Sequence, residues 1–259
     1  MAAEADDILF ACDVGNTRAA LALVVGGRIE QVVRVPVGAI DGLADCLRLD
    51  SAAAATPRAA PIIASSVNPS ATERLRAVAA QLTSEPFLLA RTDFPVPLET
   101  AVEHAERVGV DRLLAVLAAK GSGGRAVIVV DVGTAVTIDA VDAAGRFLGG
   151  SILPGPTLGA WALTQQTASL PEVNLSDEST PADPIGRNTE SAIRSGLVLG
   201  TAGAVERLIA EQREMVGHDA RVVATGGGLD LLRPALECID EVRPNLVLEG
   251  LVAAWHARG

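Results

Sequence analysis

Residues Ile8 to Thr17 read ILFACDVGNT, and residues Val127 to Thr134 read VIVVDVGT. Each is an apolar run that ends in Asp-Val-Gly followed by an amide or hydroxyl residue. The apolar pattern then resumes, over Ala19–Val25 in the first case and Ala135–Val141 in the second. A Gly-containing turn follows each (Gly26-Gly27, Ala143-Ala144-Gly145), and then a third apolar run, Ile29–Val35 or Phe147–Leu153. The unit strand, DVG turn, strand, Gly turn, strand therefore occurs twice, with Asp13 and Asp131 at matching places. An internal repeat is a stronger guide to fold than any single motif.

The chemistry of the repeated turn follows from its residues. Glycine lets the backbone bend tightly between strands and brings bare main-chain N–H groups close to whatever lies outside. Asn16 and Thr17 add side-chain donors. A carboxylate at the strand end can face a phosphate only if a cation lies between them. The doubled turn is consistent with a phosphate clamp with a metal, built twice and facing a cleft. Two ordinary hairpins with Asx-type turns are the plainer reading, but the matching flanks of the pair favour the clamp.

Composition narrows the class. A length of 259 residues allows one large domain or two smaller ones, and the repeat argues for two. The chain is 49% hydrophobic, enough for a sizeable core, and it contains no tyrosine. Its net charge of −11 argues against nucleic acid and against an anionic membrane surface. The single lysine is Lys120, and GxxxxGK[ST] is absent, so a nucleotide here would not be held by a Lys-dependent P-loop. Backbone N–H groups, arginine and metal ions would have to meet the phosphate charge. Cys12, Cys46 and Cys238 show no paired spacing and read as buried thiols in a reducing compartment. His104, His218 and His256 lack zinc-ligand spacing. No apolar run is long enough for a membrane span. The acidic opening MAAEADD lacks the basic region of a signal peptide, which leaves the cytoplasm as the expected location.

Along the chain, residues 1–7 are expected to be a mobile lead. Val37–Leu49 carries a weak helical pattern, and Ala52–Ala60 reads as a loop or frayed helix end. Pro61–Val67 reads as a buried strand whose Ser65-Ser66 is most simply a strand end. Ser70–Leu82 reads as a helix with Ser70 as its cap and Glu73 three residues on. Arg107–Lys120 has helical spacing at Leu113, Leu114 and Leu117. Gly121–Arg125, GSGGR, resembles a linker, so the expected domains are residues 1–120 and 121–259. Thr167–Pro184 is polar and loop-like. Asn188–Leu208 is a helix whose Gly196, Gly200 and Gly203 suit close packing inside the molecule or, alternatively, a subunit contact. Arg221–Thr225 leads into Gly226-Gly227-Gly228 and a helix from Leu229, an arrangement suited to an adenosine or phosphate contact. Leu246–His256 reads as a closing helix.

Taken together these motifs resemble a known superfamily. DVGNT at 13–17, DVGTAVTID at 131–139 and TGGG at 225–228 are similar to the two phosphate loops and the adenosine loop shared by acetate kinase, the sugar kinases, the heat-shock chaperone ATPases and actin. Within it, GVDR at 109–112, GGSILPG at 149–155, TASLP at 167–171, IGRNTESAIRSG at 185–196 and NLVLEGL at 245–251 resemble the type III pantothenate kinases, over nearly the whole chain. The resemblance implies an α/β fold of two similar actin-like (ribonuclease H-like) domains, each a mixed sheet with flanking helices, with an ATP cleft between them. It implies transfer of the γ-phosphoryl of ATP to the primary hydroxyl of pantothenate, the first step of coenzyme A synthesis. Asp111 matches the catalytic proton acceptor. Gly109, Val110, Asp111 and Arg112 match the substrate segment, with Arg112 suited to pantothenate's carboxylate, and Thr189 matches a further substrate contact. Asp13, Val14, Gly15, Asn16, Thr17, Arg18, Ala19 and Ala20 match the first ATP loop, with Asp13 organising Mg²⁺ through water. Thr134 matches another ATP contact, and Asp131 the ligand of a monovalent cation, K⁺ or NH₄⁺. The implied assembly is a homodimer.

The chain departs from that pattern at Val102 and Ala105, where the family often has Tyr and Pro. The loss of an aromatic wall bears on the acceptor, not on phosphoryl transfer. A same-fold kinase for another hydroxylated acceptor is the nearest rival. A non-catalytic nucleotide-dependent regulator is the more distant one, and a binding module has no need of Asp111 as a base.

Overall fold

The computed structural model describes residues 8–43, 60–121, 124–175 and 182–258. The acidic lead, parts of the weak helix and of the Ala-rich stretch, Cys46, the middle of the GSGGR linker and part of the polar loop after residue 175 lie outside them. Two structural units emerge.

In the first unit the opening repeat forms three strands, β1 (Ile8–Val14), β2 (Arg18–Val25) and β3 (Arg28–Pro36). They pair antiparallel, and β4 (Ile62–Ser66) and β5 (Phe87–Leu89) add in parallel, giving the order β3-β2-β1-β4-β5. Strand β1 is covered on both faces, which is why it reads as an almost unbroken apolar run instead of an alternation. Phe10, Cys12 and Val14 point to a cluster with Ala71, Leu75 and Val78 of helix α1 (Pro69–Leu82). Burial, and then the charge of Asp13, push the Cys12 thiol up. Leu9 and Ala11 point the other way. They join Leu114 of helix α2 (Val110–Ala119) and Leu248, Leu251 and Trp255 of a C-terminal helix, Leu246–His256.

Helix α1 begins one residue before the expected start. Pro69 occupies its first turn, where a missing N–H costs nothing, and the cap is Asn68, whose side chain accepts from Ala71 N at 3.2 Å. Ser70 donates to that same Asn68 side chain and is not the cap.

The helix Leu246–His256 also corrects the expected division at residue 120. Residues Asn245–Gly259 group with the first unit, and Glu99–Glu103 with the second, the chain changing unit between Ala118 and Ala119. The reason is close packing. A Cβ at Gly250 would lie 1.9 Å from the Leu114 carbonyl oxygen, so this helix meets α2 backbone to backbone. Trp255 adds an edge-to-face contact with Phe94, ring centroids 5.5 Å apart. The stretch around Glu99 belongs elsewhere because Phe147 N donates to Glu99 O, and Ala101 N to Phe147 O.

The second unit repeats the plan. Strands β6 (Val127–Val132), β7 (Ala135–Val141) and β8 (Phe147–Pro154) pair antiparallel, while β9 (Arg221–Thr225) and the two-residue β10 (Glu241–Val242) add in parallel. The order is β10-β9-β6-β7-β8, the first sheet's plan with its strands in equivalent places. Helix α3 (Pro156–Gln166) follows β8. Helix α4 (Thr189–Val216) runs two turns past the expected end at Leu208, and its Val198, Ala202, Val205 and Ile209 pack on Ile128, Val130, Val136 and Ile138. Short helix α5 (Leu229–Leu232) follows β9, and the helix Leu246–His256 is α6. The glycines of α4 do not serve internal packing. No described atom comes within 4 Å of a Cβ built on Gly196, Gly200 or Gly203, so this stripe lies on the outer side.

Candidate active site

Asp13 ends the row that begins Leu9 and Ala11, on the face of the first sheet covered by α2 and α6. Strand register sets its neighbours. Arg34, Ala20, Asp13 and Ser65 lie side by side across β3, β2, β1 and β4. Ser65 is 1% exposed and donates from Oγ to Asp13 Oδ1 at 2.7 Å. Burial pushes the Asp13 carboxyl up to about 6, the Ser65 hydrogen bond opposes that, the charge of Asp111 adds to it, and Arg34 opposes it again. Arg34 also donates to Asn245, the cap of α6. The Gly15 N–H is not bare: it donates to Arg18 O at 3.0 Å and closes the hairpin. Asn16, Thr17 and Arg18 stand exposed at the tip.

Asp111 lies in the first turn of α2, one residue inside the helix and not at its cap, where a carboxylate suits the positive end of the helix. Its Oδ1 accepts from Arg112 N at 2.9 Å. A Cβ on Gly109 would sit 2.4 Å from that same oxygen, so glycine at 109 makes room for the carboxylate. Upstream, Arg91, with φ 70°, sends its guanidinium to Val108 O and Ala105 O and pins the turn that delivers GVDR. Neither Arg34 nor Arg91 was singled out by sequence pattern; both act across long stretches of chain. The first unit thus brings Asp13, Ala20 and the start of the GVDR helix to one sheet face, with Asp13 and Asp111 within each other's field.

In the second unit the equivalent row is Ile152, Thr137, Asp131 and Thr225, without an arginine. Gly133 N donates to Ala135 O at 2.9 Å, matching the closure at Gly15. Two later glycine segments pack on this turn. A Cβ on Gly155 would lie 2.2 Å from Gly133 O, and Gly155 N donates to Thr134 O. Gly226, at φ 100°, would place a Cβ 2.4 Å from Asp131 Oδ1, and Gly228 N donates to Val132 O at 2.8 Å. The TGGG and LPG motifs therefore frame Asp131 and Thr134. Thr189 stands apart, as the first residue of α4, behind a capping box of Asn188 and Ser191.

The donor set suits hard cations only in part supplied by protein. Among the described residues no group of three or more His, Cys, Asp or Glu could hold a metal. Mg²⁺ commonly binds through one or two carboxylates plus substrate phosphates, and Asp13, with Oδ1 engaged by Ser65, offers one such carboxylate. Gly226 packs directly against the Asp131 carboxylate and the Val132 carbonyl, too close for any side chain, so two hard oxygens, the donor type a monovalent cation takes, lie together at this turn.

Comparison with known proteins agrees with this arrangement. The family model described as type III pantothenate kinase matches residues 9–211. A type III pantothenate kinase of Thermus thermophilus is 37% identical over 268 residues, spanning 97% of this chain and 100% of the relative. The chain belongs to the type III pantothenate kinase family. A family member from Nitratidesulfovibrio vulgaris is 36% identical and covers 92% of this chain and 93% of its own. Solved structures extend the likeness in fold alone. A Campylobacter jejuni protein called a Baf family transcriptional activator superposes with a TM-score of 0.58 at 19% identity, over 96% of this chain and 97% of that one. Component A of the Acidaminococcus fermentans (R)-2-hydroxyglutaryl-CoA dehydratase does so with 0.51 at 17% identity, over 95% of each. The family's architecture in this chain is two actin-like domains, each a mixed five-stranded sheet with flanking helices. No helix among the described residues is long and apolar enough to cross a membrane.

Proposed function

We propose that this chain transfers the γ-phosphoryl of ATP to the primary hydroxyl of pantothenate, forming 4'-phosphopantothenate, the first step of coenzyme A biosynthesis, in the cytoplasm. The observation that carries the reading is the placing of Asp111: a carboxylate in the first turn of α2, seated over Gly109, on the sheet face from which Asp13 projects. Phosphoryl transfer asks for alignment and charge neutralisation more than covalent help. Asp111 accepts the proton of the acceptor hydroxyl as that oxygen approaches the γ-phosphorus. Gly109, Val110 and Arg112 line the acceptor, with Arg112 facing its carboxylate and Thr189 a further contact. Asp13 to Ala20 and Thr134 take ATP. Bound Mg²⁺ and K⁺ would offset the triphosphate charge, held at Asp13 through water and at Asp131 respectively. A homodimer is part of the same reading, supported by the open stripe at Gly196, Gly200 and Gly203; a sedimentation dilution series with monomer only would remove it.

A second reading, the same chemistry on another hydroxylated acceptor, draws support from Val102. Its Cγ1 lies 3.4 Å from the Cβ position of Gly149, so an aliphatic side chain occupies the place where the family often has an aromatic one. The deciding experiment is ATP consumption with pantothenate as sole acceptor in Mg²⁺ and K⁺. Turnover supports the first reading, turnover with other alcohols only supports the second, and nucleotide binding without turnover removes both.

A further inference from the structure

Ser65 is more than a strand end. It lies on β4, directly across from Asp13 in register, and is 1% exposed, with Oγ 2.7 Å from Asp13 Oδ1. Both strands have neighbours on each side, so neither residue can drift without moving the sheet. An ordinary serine at the end of a strand would turn its hydroxyl to solvent or to a local carbonyl, as Ser66 does with Asn68 O. Ser65 instead spends its only proton on a carboxylate 52 positions away in sequence.

The second unit has a hydroxyl residue at the equivalent register position. Opposite Asp131, at the end of β9, stands Thr225, 4% exposed. The residues beyond the aspartates differ between the rows: Arg34 and Ala20 in one, Ile152 and Thr137 in the other. A buried hydroxyl residue stands across from the aspartate in both. A general need to fill space between these strands would be met by alanine, which both strands use immediately before, at Ala64 and Ala224.

We propose that Ser65 is a positioning residue of the nucleotide site, holding Asp13 Oδ1 so that Oδ2 is presented to the hydrated cation that accompanies ATP. This rests on the kinase reading of Asp13. A carboxylate freed from Ser65 rotates about its terminal torsion, which has broad wells, and spends part of its time turned away from the cation.

The test is calorimetric binding of a non-hydrolysable ATP analogue at a series of Mg²⁺ concentrations, which needs no acceptor and no turnover. In Ser65→Ala the Mg²⁺ concentration for half-maximal binding should rise about tenfold, the order expected for losing one hydrogen bond to a charged group. Binding without Mg²⁺ should match the unsubstituted chain. Ser65→Thr, the second unit's own residue, should stay within about threefold of it. In an Asp13→Asn background, Ser65→Ala should change the Mg²⁺ dependence no further. Ser65→Cys, which keeps the shape and weakens the donor, replaces Ser65→Ala if that variant does not fold, with the same direction expected. A lowered melting temperature with an unmoved Mg²⁺ dependence would overturn the proposal and leave Ser65 a structural residue. Absence of Mg²⁺-dependent binding in the unsubstituted chain would remove the kinase reading as well.

Discussion

Replacing Asp13 by Asn should make the ligand-free protein more stable at alkaline pH while costing it its Mg²⁺-dependent hold on nucleotide. The side chains are nearly isosteric, and the amide oxygen of Asn can still accept from Ser65 Oγ. What is removed is a charge that burial disfavours. The Asp13 carboxyl is shifted from 3.8 to about 6, chiefly by burial. Between those values the folded chain holds a proton that the unfolded chain has released, so this group's contribution to stability falls as pH rises through about 6. Below about 4 both states are protonated and the difference vanishes. At about 1.36 kcal/mol per pH unit the full shift corresponds to about 3 kcal/mol. Asp13 keeps partial contact with solvent, which screens part of that, so about 1–2 kcal/mol is expected. For a chain of this size that is a rise of roughly 3–6 °C in Tm. Thermal melts of the ligand-free protein at pH 8, 6 and 4.5 should show the full gap at pH 8, nearly all of it at pH 6 and about a third of it at pH 4.5. A lower Tm for the variant at pH 8, or a gap independent of pH, would refute the reasoning, because neither can come from relief of a buried charge.

Asp111→Asn should lower kcat by roughly 10²–10⁴, the usual worth of a positioned base, with nucleotide affinity nearly unchanged; equal turnover would end the base assignment. Turnover should be higher in K⁺ or NH₄⁺ than in Na⁺, and Asp131→Asn should erase that preference; indifference of the unsubstituted chain to the monovalent ion would count against Asp131 as a cation ligand. Gly250→Ala drives a methyl group to within 1.9 Å of the Leu114 carbonyl oxygen, a contact that can be relieved only by separating α6 from α2. A loss of about 3 kcal/mol, at the upper end for overpacking, should appear as a lower Tm, and an unchanged Tm would argue against this helix contact.

Most of the two sheets was legible because each core strand is a run of Val, Ile, Leu and Ala closed by a glycine turn, a pattern that local residues set by themselves. The same pattern places the aspartates at the strand ends, whereas GVDR stands out by its resemblance to the family, at a helix start that the apolar spacing gives. Contacts between distant segments were not. Nothing in Leu246–His256 as a string says that Gly250 seats on Leu114. The apolar spacing reports only that a face is buried, not which sheet buries it. The cap of α1 was misjudged because Ser70 and Asn68 are both good caps, and only the place of Pro69 decides between them. The expectation of bare N–H groups in the DVG turns failed at their glycines, since each closes its own hairpin. The pairing of Ser65 with Asp13 depends on strand register, which no single stretch of sequence specifies.

The return of Asn245–Gly259 to the first unit has a consequence for biosynthesis. A chain leaving the ribosome has β1 to β5 and α2 available early, yet the apolar face shared by Leu9, Ala11, Ile63 and Leu114 stays uncovered until Leu248, Leu251 and Trp255 have been made. The second unit, contiguous but for one short stretch, can close sooner. Maturation therefore runs against the order of synthesis, with the amino-terminal half finishing late and exposing a sticky surface to chaperones in the meantime.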